Sequence, residues 1–348
     1  MHKISVGIVV AVVIALLAGA VLYSSPASTE NIKIGIITDL TGPAAYWGES
    51  TRIGAELALE DLRTRGYTVE YVYEDYKLDP AIAASAAQKI TTIDRVDAAY
   101  IELNPGVVAA APIIASARIP MIYDAAVVSP LLVSENFFKT YLDYEAGCEE
   151  LAHKFKEEGV TRLGTLKLNL ENGDLCLKGL QKVYPETIVE PYNVGETDFR
   201  TPLLKLQSSN VEALVNVGFP GDISNALQVI KSQNMQIRYA TVDDSLTPEI
   251  KARFATQLQG GWTFGFKSED ESFTERIDER AGGTKLATYY GAALAYTHIT
   301  QLVESLAECE KEVPCAVERI AASKPDTNSG FLRFENGVAQ LEMSLKQY

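Results

Sequence analysis

The chain has 348 residues, of which 47% are hydrophobic and 22% are charged. This composition excludes wholesale disorder, and at roughly 100–200 residues per domain the length predicts two domains. Lys and Arg number 31 against 46 Asp and Glu, so the net charge is −15. The basic residues form no cluster along the chain, and we therefore expect no nucleic-acid partner.

The amino-terminal segment, residues 1–30, predicts export. His2 and Lys3 precede residues 4–23, an uncharged apolar run of about the ~20 residues that a membrane-spanning helix needs. Residues 18–20, Ala-Gly-Ala, are typical of a signal-peptide cleavage site. Two interpretations stay open, a cleaved signal peptide and an uncleaved anchor in the cytoplasmic membrane, each followed by a short tether. In both cases the positive flank stays inside, so the rest of the chain lies on the periplasmic or extracellular face.

The cysteines agree with an oxidising compartment. Cys148 and Cys176 each lie near a predicted helix start, and Cys309 and Cys315 bracket a short loop. We predict the disulfides 148–176 and 309–315, with buried free thiols as the alternative. A zinc site is disfavoured because no C-x-x-C pair occurs and no histidine has ligand spacing to a cysteine. We expect no metal and no cofactor.

The predicted elements alternate between strands and helices in chain order. A first series has strands at residues 32–38, 67–74, 98–101 and 121–123, with helices at 47–65, 80–93 and from 104 onward. A second series has helices at 144–158, 174–184, 199–208, 222–233 and 248–257, with strands at 162–167, 187–190, 212–217, 238–242 and 261–266. Helices at 286–307 and 313–322 and a hairpin, 331–334 and 338–343, follow. This order predicts an α/β fold of two doubly wound parallel-sheet lobes.

Four ordered blocks carry a family resemblance. The first is IKIGIITDLTGPAAYWGESTRIGAELALEDL, with a T-G-P turn, an aromatic-Gly pair and a Gly-Ala helix. The others are YEDYKLDPAIAASAAQKI, GETDFRTPLLKLQSSNVEALVNVGFPGDISNALQVIKSQNM and NSGFLRFENGVAQ. Together these blocks, from about Ile32 to Tyr348, resemble the type I periplasmic solute-binding proteins, specifically the branched-chain amino acid (leucine/isoleucine/valine) group that serves ABC transporters.

The resemblance implies two lobes joined by a hinge of three crossings, with a small solute held between them. Lobe 1 is expected at residues 31–141 plus 267–325, and lobe 2 at 142–266 plus 326–348. The implied function is that of a monomeric substrate-binding component of an ABC importer, which captures an amino acid-like solute, amine or amide and delivers it to permease subunits. The alternative is a ligand-sensing receptor ectodomain working with a separate membrane partner. No catalytic motif is present, so we expect a binding protein rather than an enzyme and name no catalytic residue.

In open parallel sheets, ligands bind beyond the carboxyl ends of the strands, and this rule directs attention to the residues just after each strand. The resemblance places Trp47 at an aromatic lid position, with packing on its own lobe as the alternative. It places Asn104-Pro105-Gly106 and Asp124-Ala125-Ala126 where the family binds the carboxylate of an amino acid. Asn104 could instead cap its helix. Val128 stands where the family has a threonine, and an ionised Asp124 would repel a carboxylate.

On lobe 2 the resemblance gives Asn172 and Phe219 as lining residues and either Asp243 or Asp244 as the acidic residue that receives an ammonium group. Exposed loop positions are the alternative for Asn172 and for the aspartates. Together with Glu102 and Asp124, these acids at strand ends favour a positive charge. We therefore expect a solute that need not be a zwitterionic amino acid and that is cationic, amine-bearing or partly aromatic.

Overall fold

The computed structural model describes residues 31–42, 44–266, 271–282, 286, 289–326 and 328–348. The signal or anchor segment expected at residues 1–30 lies outside the described residues. Within the described ranges, no helix combines the length and the apolar character needed to cross a membrane.

The amino-terminal part of the chain alternates strands with helices, as predicted. Its elements are β1 (Asn31–Thr38), α1 (Ala45–Thr64), β2 (Thr68–Asp75), α2 (Pro80–Thr92), β3 (Ala98–Glu102), α3 (Asn104–Ala117), β4 (Met121–Asp124) and β5 (Phe137–Thr140). Helix α2 begins where expected, because the Asp79 carboxylate accepts hydrogen bonds from the backbone N–H groups of Ala81 and Ile82. The sequence pattern does not predict strand β5. This strand has only four residues, all buried, so it lacks the alternation that marks a strand in a sequence.

The middle of the chain repeats the alternation. Its elements are α4 (Tyr144–Glu157), β6 (Leu163–Leu168), α5 (Glu171–Val183), β7 (Ile188–Tyr192), α6 (Arg200–Ser208), β8 (Ala213–Asn216), α7 (Pro220–Ser232), β9 (Arg238–Val242), α8 (Pro248–Arg253), α9 (Ala255–Leu258) and β10 (Trp262–Phe266). The single helix predicted at 248–257 is two short helices that meet at Phe254.

The carboxyl-terminal part contains α10 (Glu271–Arg280), α11 (Tyr290–Glu308), α12 (Val313–Ala321), β11 (Phe331–Glu335), β12 (Val338–Leu341) and β13 (Met343–Gln347). Helix α10 is not among the predicted elements. Its carboxyl-terminal half pairs with α1, where the Arg276 guanidinium lies 2.9 Å from the Asp61 carboxylate.

The described strands form two sheets, and each sheet is the centre of one lobe. Lobe 1 has the strand order β11-β12-β5-β4-β3-β1-β2, and lobe 2 has β13-β10-β9-β8-β6-β7. In lobe 1, β1 to β5 run parallel, and one face packs against α1, α11 and α12 while the other packs against α2 and α3. In lobe 2, β6 to β10 run parallel and are also covered on both faces. This is the predicted doubly wound two-lobed fold.

The terminal hairpin corrects the expected lobe boundary. The expectation places residues 326–348 in lobe 2, yet β12 pairs with β5 and only β13 pairs with β10 of lobe 2. The hairpin stays in lobe 1 because Phe331 and Phe334 pack in its core, where the Phe334 ring lies 4.9 Å from that of Phe138. The chain therefore passes between the lobes at Glu342, after the hairpin, and also at 141–143, between β5 and α4.

The predicted disulfide pairing is confirmed. Cys148–Cys176 joins α4 to α5, and Cys309–Cys315 joins the end of α11 to α12.

Replacing Cys148 and Cys176 by alanine should lower the free energy of unfolding by about 3–4 kcal/mol, because the bond closes a long loop in the unfolded chain. The same change at Cys309 and Cys315 should cost about 1 kcal/mol less, since that loop is much shorter. Guanidinium unfolding of both variants measures which one loses more stability, and equal losses in free energy of unfolding would contradict the prediction.

Candidate functional site

A cavity lies between the two lobes. Its lobe 1 wall comes from the start of α1, the ends of β3 and β4, the start of α3 and the start of α11. Its lobe 2 wall comes from the residues that follow β6, β8 and β9. Parallel strands thus bring their carboxyl ends together on the two sides of one cleft, which is the arrangement that binds ligands in such sheets.

Most of the predicted site residues line this cavity, namely Trp47, Asn104, Pro105, Asp124, Ala125, Ala126, Asn172, Phe219 and Asp244. Gly106 does not line it. This glycine lies against the Tyr76 ring, and a Cβ atom there would come within 2.8 Å of the ring carbon Cζ. The backbone at this position is therefore packed against its own lobe.

Asp243 also lies outside the cavity. Its carboxylate is 3.0 Å from the Lys251 ammonium and 3.1 Å from that of Lys346, and it accepts a hydrogen bond of 2.8 Å from the Tyr348 hydroxyl. Although burial disfavours its charge, these two ammonium groups hold the pKa of Asp243 below its usual range. Of the two neighbouring aspartates, only Asp244 faces the cleft.

The turn before α1 positions Trp47 over the cavity. The Asp39 carboxylate accepts hydrogen bonds from the backbone N–H groups of Gly42 at 2.6 Å and Ala44 at 2.7 Å. A Cβ atom at Gly48 would overlap the Asp39 carbonyl, so the glycine allows the start of the helix to approach the end of β1. Trp47 is 9% exposed, and its ring makes a T-shaped contact with the Phe219 ring of lobe 2 at a centroid distance of 5.5 Å. Its packing therefore extends across the cleft and not only onto its own lobe.

Asn104 connects the two loops that follow β3 and β4. Its Oδ1 atom accepts a hydrogen bond of 2.9 Å from the backbone N–H of Ala126, while the Leu103 N–H donates to the Asp124 carbonyl at 2.8 Å. The hypothesis that Asn104 caps its helix is wrong, because Leu103 precedes the first turn and no side chain caps it. Leu103 has φ +65°, a left-handed conformation that is strained for leucine and that turns the chain sharply at the cavity wall.

Two carboxyl groups of lobe 1 are buried in the cavity wall. Glu102 is 2% exposed and accepts hydrogen bonds from the hydroxyls of Thr38 and Thr51, and burial raises its pKa to about 7. Asp124 is 7% exposed, and its Oδ1 atom has no hydrogen-bond partner among the described residues. Burial, followed by repulsion from Glu102 and Asp244, raises the pKa of Asp124 well above its usual range.

Lobe 2 contributes Asp244 to the same space. Its carboxylate accepts hydrogen bonds from the Tyr141 hydroxyl and, at 3.4 Å, from Ser245, and burial raises its pKa to about 6. The positive group that acts on Asp124 is the ammonium of Lys139, which is buried in β5 and donates to the Tyr141 carbonyl at 3.2 Å. Burial lowers the pKa of Lys139 to about 8. Among the described residues, no group of three or more acidic, histidine or cysteine side chains is placed to bind a metal ion.

Several lining residues are not among the predicted site residues, namely Glu102, Leu103, Tyr141, Tyr144, Leu170, Gly218, Ser245, Tyr290 and Gly291. The sequence analysis names Glu102 as an acid at a strand end that favours a positive charge, but not as a site residue. Tyr141 and Tyr144 lie at the crossing between β5 and α4, and the strand that would identify them has no sequence signal. Tyr290 begins α11, which no predicted strand directly precedes.

A second contact joins the lobes at the edge of the cleft. The Glu171 carboxylate at the start of α5 accepts hydrogen bonds from the Val128 N–H at 3.1 Å and the Ser129 hydroxyl at 3.4 Å. Together with the Trp47–Phe219 contact, these bonds join the two lobes directly. Such bonds exist only while the lobes are in contact, so in a protein whose lobes separate they would stabilise the closed arrangement alone.

Replacing Glu171 by alanine should therefore weaken solute binding about 3- to 10-fold, which corresponds to about 1 kcal/mol for exposed charge-assisted hydrogen bonds. The dissociation rate should account for most of the change, and the melting temperature of the free protein should stay the same. Stopped-flow fluorescence with a solute that binds would measure the association and dissociation rates. Glu186→Ala, an exposed change on the same lobe, is the matched control. Unchanged dissociation in the Glu171 variant would show that these bonds do not stabilise the closed state.

The sequence matches known proteins along most of its length. A family model described as periplasmic binding protein matches residues 31–329. The Leu/Ile/Val-binding protein of Escherichia coli K12 is 24% identical over 241 residues, covering 65% of this chain and 65% of that protein, so the match spans just under two thirds of this relative. The leucine-, isoleucine-, valine-, threonine- and alanine-binding protein of Pseudomonas aeruginosa is 24% identical over 344 residues, covering 92% of this chain and 89% of that protein.

Solved structures share both lobes of the fold. A leucine-binding protein from Thermotoga maritima aligns with a TM-score of 0.81 at 18% identity, covering 91% of this chain and 95% of that one. An ABC transporter solute-binding protein from R. palustris in complex with 4-hydroxybenzoate aligns with a TM-score of 0.80 at 18% identity, covering 91% and 93%. The family is one of exported solute-binding proteins rather than enzymes, in agreement with the sequence. The match over residues 31–329 shows that this chain belongs to the periplasmic binding protein family.

Proposed function

We propose that this protein is the substrate-binding component of an ABC importer and that it captures a small solute, amino acid-like, amine or amide, in the interlobe cavity. The observation that carries the proposal is that both lobes contribute polar and aromatic side chains to one cavity. Such a space exists only when the lobes meet, so occupancy and closure are coupled. The family membership and the ABC transporter solute-binding protein among the similar structures support the same role.

The capture mechanism is closure about the crossings at 141–143 and Glu342. In the open state the solute first contacts lobe 1, where Trp47 and the loops after β3 and β4 are accessible. Lobe 2 then rotates in and adds Phe219, Asn172 and Asp244, which excludes water from the solute. The closed lobes present a combined surface that permease subunits can distinguish from the open form.

The proposed solute class depends on the charge of the cavity and not on the fold. Relatives with this fold are named for branched-chain amino acids, whereas a similar structure holds 4-hydroxybenzoate, so the fold accommodates different solutes. Among the described residues, the cavity lining includes Glu102, Asp124 and Asp244 but no Lys, Arg or His. This lining offers acceptors for an amine or amide donor and aromatic walls for its apolar part.

A thermal-shift screen of the purified protein against amino acids, amines, polyamines, amides and small aromatics tests the proposal. A solute at 100 times its dissociation constant should stabilise the protein by about 2.7 kcal/mol, which is visible as a higher melting temperature. Small-angle X-ray scattering should then show a smaller radius of gyration with the same compound. A solute that binds without any compaction would contradict capture by closure, and the lack of any increase in melting temperature across the whole screen would contradict the proposed function.

A further inference from the structure

Acidic side chains from opposite lobes line the cavity without a basic partner among the described lining residues. Building on the proposed function, we propose that the solute is a small organic cation without a carboxylate group and that its cationic group lies between Asp124 of lobe 1 and Asp244 of lobe 2. The cation would then bridge the lobes. Asp124 would act as the residue that determines specificity, since its buried carboxyl group is the lobe 1 member of this pair.

The first support is the unsatisfied state of Asp124. Its side chain ends β4 and is almost fully buried, and the Tyr100 hydroxyl lies beside it and favours its charged form, yet no described group makes a hydrogen bond to its Oδ1 atom. A buried acceptor without a donor is costly, and native proteins rarely keep one without a reason. A donor on a bound solute would satisfy this oxygen, and an ammonium group would also neutralise the carboxylate.

The second support is the contrast between Asp243 and Asp244. Asp243 is paired with Lys251 and Lys346, so its charge is already compensated. The described partners of Asp244 are the neutral hydroxyls of Tyr141 and Ser245. The two aspartates are adjacent in one short turn. Asp243, outside the cavity, is thus paired with two ammonium groups, whereas Asp244, inside it, is bonded to neutral hydroxyls.

The charges around this pair leave no place for a carboxylate. Glu102 and Asp244 repel further negative charge at Asp124, and Tyr100 lies beside it. Lys139 is the opposing positive group, but its ammonium donates to the Tyr141 carbonyl and its side chain lines a separate cavity behind the crossings. A solute carboxylate in the cleft would therefore meet acidic groups, whereas Lys139 lies outside the lining.

The aromatic residues that line the cavity suit the uncharged part of an organic cation. Trp47 and Phe219 approach from opposite lobes, and Tyr141, Tyr144 and Tyr290 line the hinge side. Aromatic faces attract cations within about 6 Å of the ring centroid and also cover apolar groups. A short alkyl or aryl amine would thus bury its carbon skeleton while its ammonium group contacts the two carboxylates.

Matched sets of compounds test the proposal by isothermal titration calorimetry. One set is leucine, 3-methylbutylamine and 4-methylpentanoate, and another is tyrosine, tyramine and 3-(4-hydroxyphenyl)propionate, with ethanolamine, agmatine and choline added as further cations. The best cation should bind at least 100-fold more tightly than either amino acid, and the acids should not bind. An amino acid that binds as tightly as its amine, or failure of every cation, would overturn the cation proposal. A different solute that binds and compacts the protein would leave the proposed function intact.

Asp124→Asn gives the residue-level test. It should weaken binding of the best cation at least 10-fold and reduce its preference over the matching amino acid, because asparagine cannot ionise to pair with the ammonium group or to repel a carboxylate. Asp243→Asn, a neighbouring acid outside the cavity, should retain the preference and serves as the control. A melting temperature no lower than that of the unchanged protein would show that the Asp124 variant is folded. An unchanged preference in that folded variant would show that Asp124 does not determine specificity.

Discussion

Replacing Trp47 and Asp244 together by alanine should weaken solute binding by at least about 1,000-fold. Trp47 belongs to lobe 1 and Asp244 to lobe 2, so the double variant removes one anchor from each side of the cleft. Truncating a buried aromatic anchor typically costs about 2 kcal/mol or more, and removing one partner of a buried charge pair costs about 2–5 kcal/mol. Together these losses exceed about 4 kcal/mol, which is a factor of about 1,000 in affinity.

The free protein should keep nearly the same melting temperature in this double variant, because removing the uncompensated Asp244 carboxylate offsets part of the lost packing. Trp262→Ala is the matched control for the aromatic change. Trp262 lies on β10 outside the cavity, and its ring N–H donates to Glu158 at 2.8 Å. The control should lose stability but not affinity. Calorimetric titration and circular dichroism separate the two effects, and an affinity within 10-fold of the unchanged protein would place the binding site elsewhere.

The sequence identifies the cleft residues that follow regular elements. Trp47 and Phe219 lie at helix starts directly after strands, and Asn104 opens α3 immediately beyond β3. Because carboxyl ends of parallel strands share one edge of the sheet, such positions can be predicted once the strand–helix alternation is recognised. The pattern cannot say which of Asp243 and Asp244 enters the cavity. That choice depends on Lys346, which comes from β13 at the far end of the chain.

The parts that could not be predicted depend on contacts between distant segments. Strand β5 contains Lys139 in a fully buried run, so neither alternation nor a continuous apolar run marks it. The terminal hairpin has the alternation of a strand pair but carries no signal for the lobe that it joins. Its place follows from the packing of Phe331 and Phe334 in the lobe 1 core, which is tertiary information.

Glu102→Gln should raise the free energy of unfolding of the empty protein at pH 8 by about 2–3 kcal/mol. Burial raises the pKa of Glu102 from its ordinary value of 4.5 to about 7, so folding favours the protonated form. The stability from this carboxyl group is present below about pH 4.5 and is lost as the pH rises through about 7. A pKa difference of one between the folded and unfolded chain corresponds to about 1.4 kcal/mol, and glutamine avoids the loss because it does not ionise. At pH 5 the two proteins should differ by less than about 1 kcal/mol.

Urea unfolding of both proteins at pH 5 and pH 8 measures this difference, with Glu186→Gln as an exposed control. The amide of glutamine can still bond the hydroxyls of Thr38 and Thr51, so the comparison isolates the charge. A variant that is less stable than the unchanged protein at pH 8 would contradict the expectation.

Glu102 lines the cavity, so a bound cation should lower its pKa. The difference in free energy of unfolding between the two proteins at pH 8 should then become smaller. The same carboxyl group that destabilises the empty protein would then contribute to retaining a positively charged solute, which explains why a site for a cation would keep a destabilising acid.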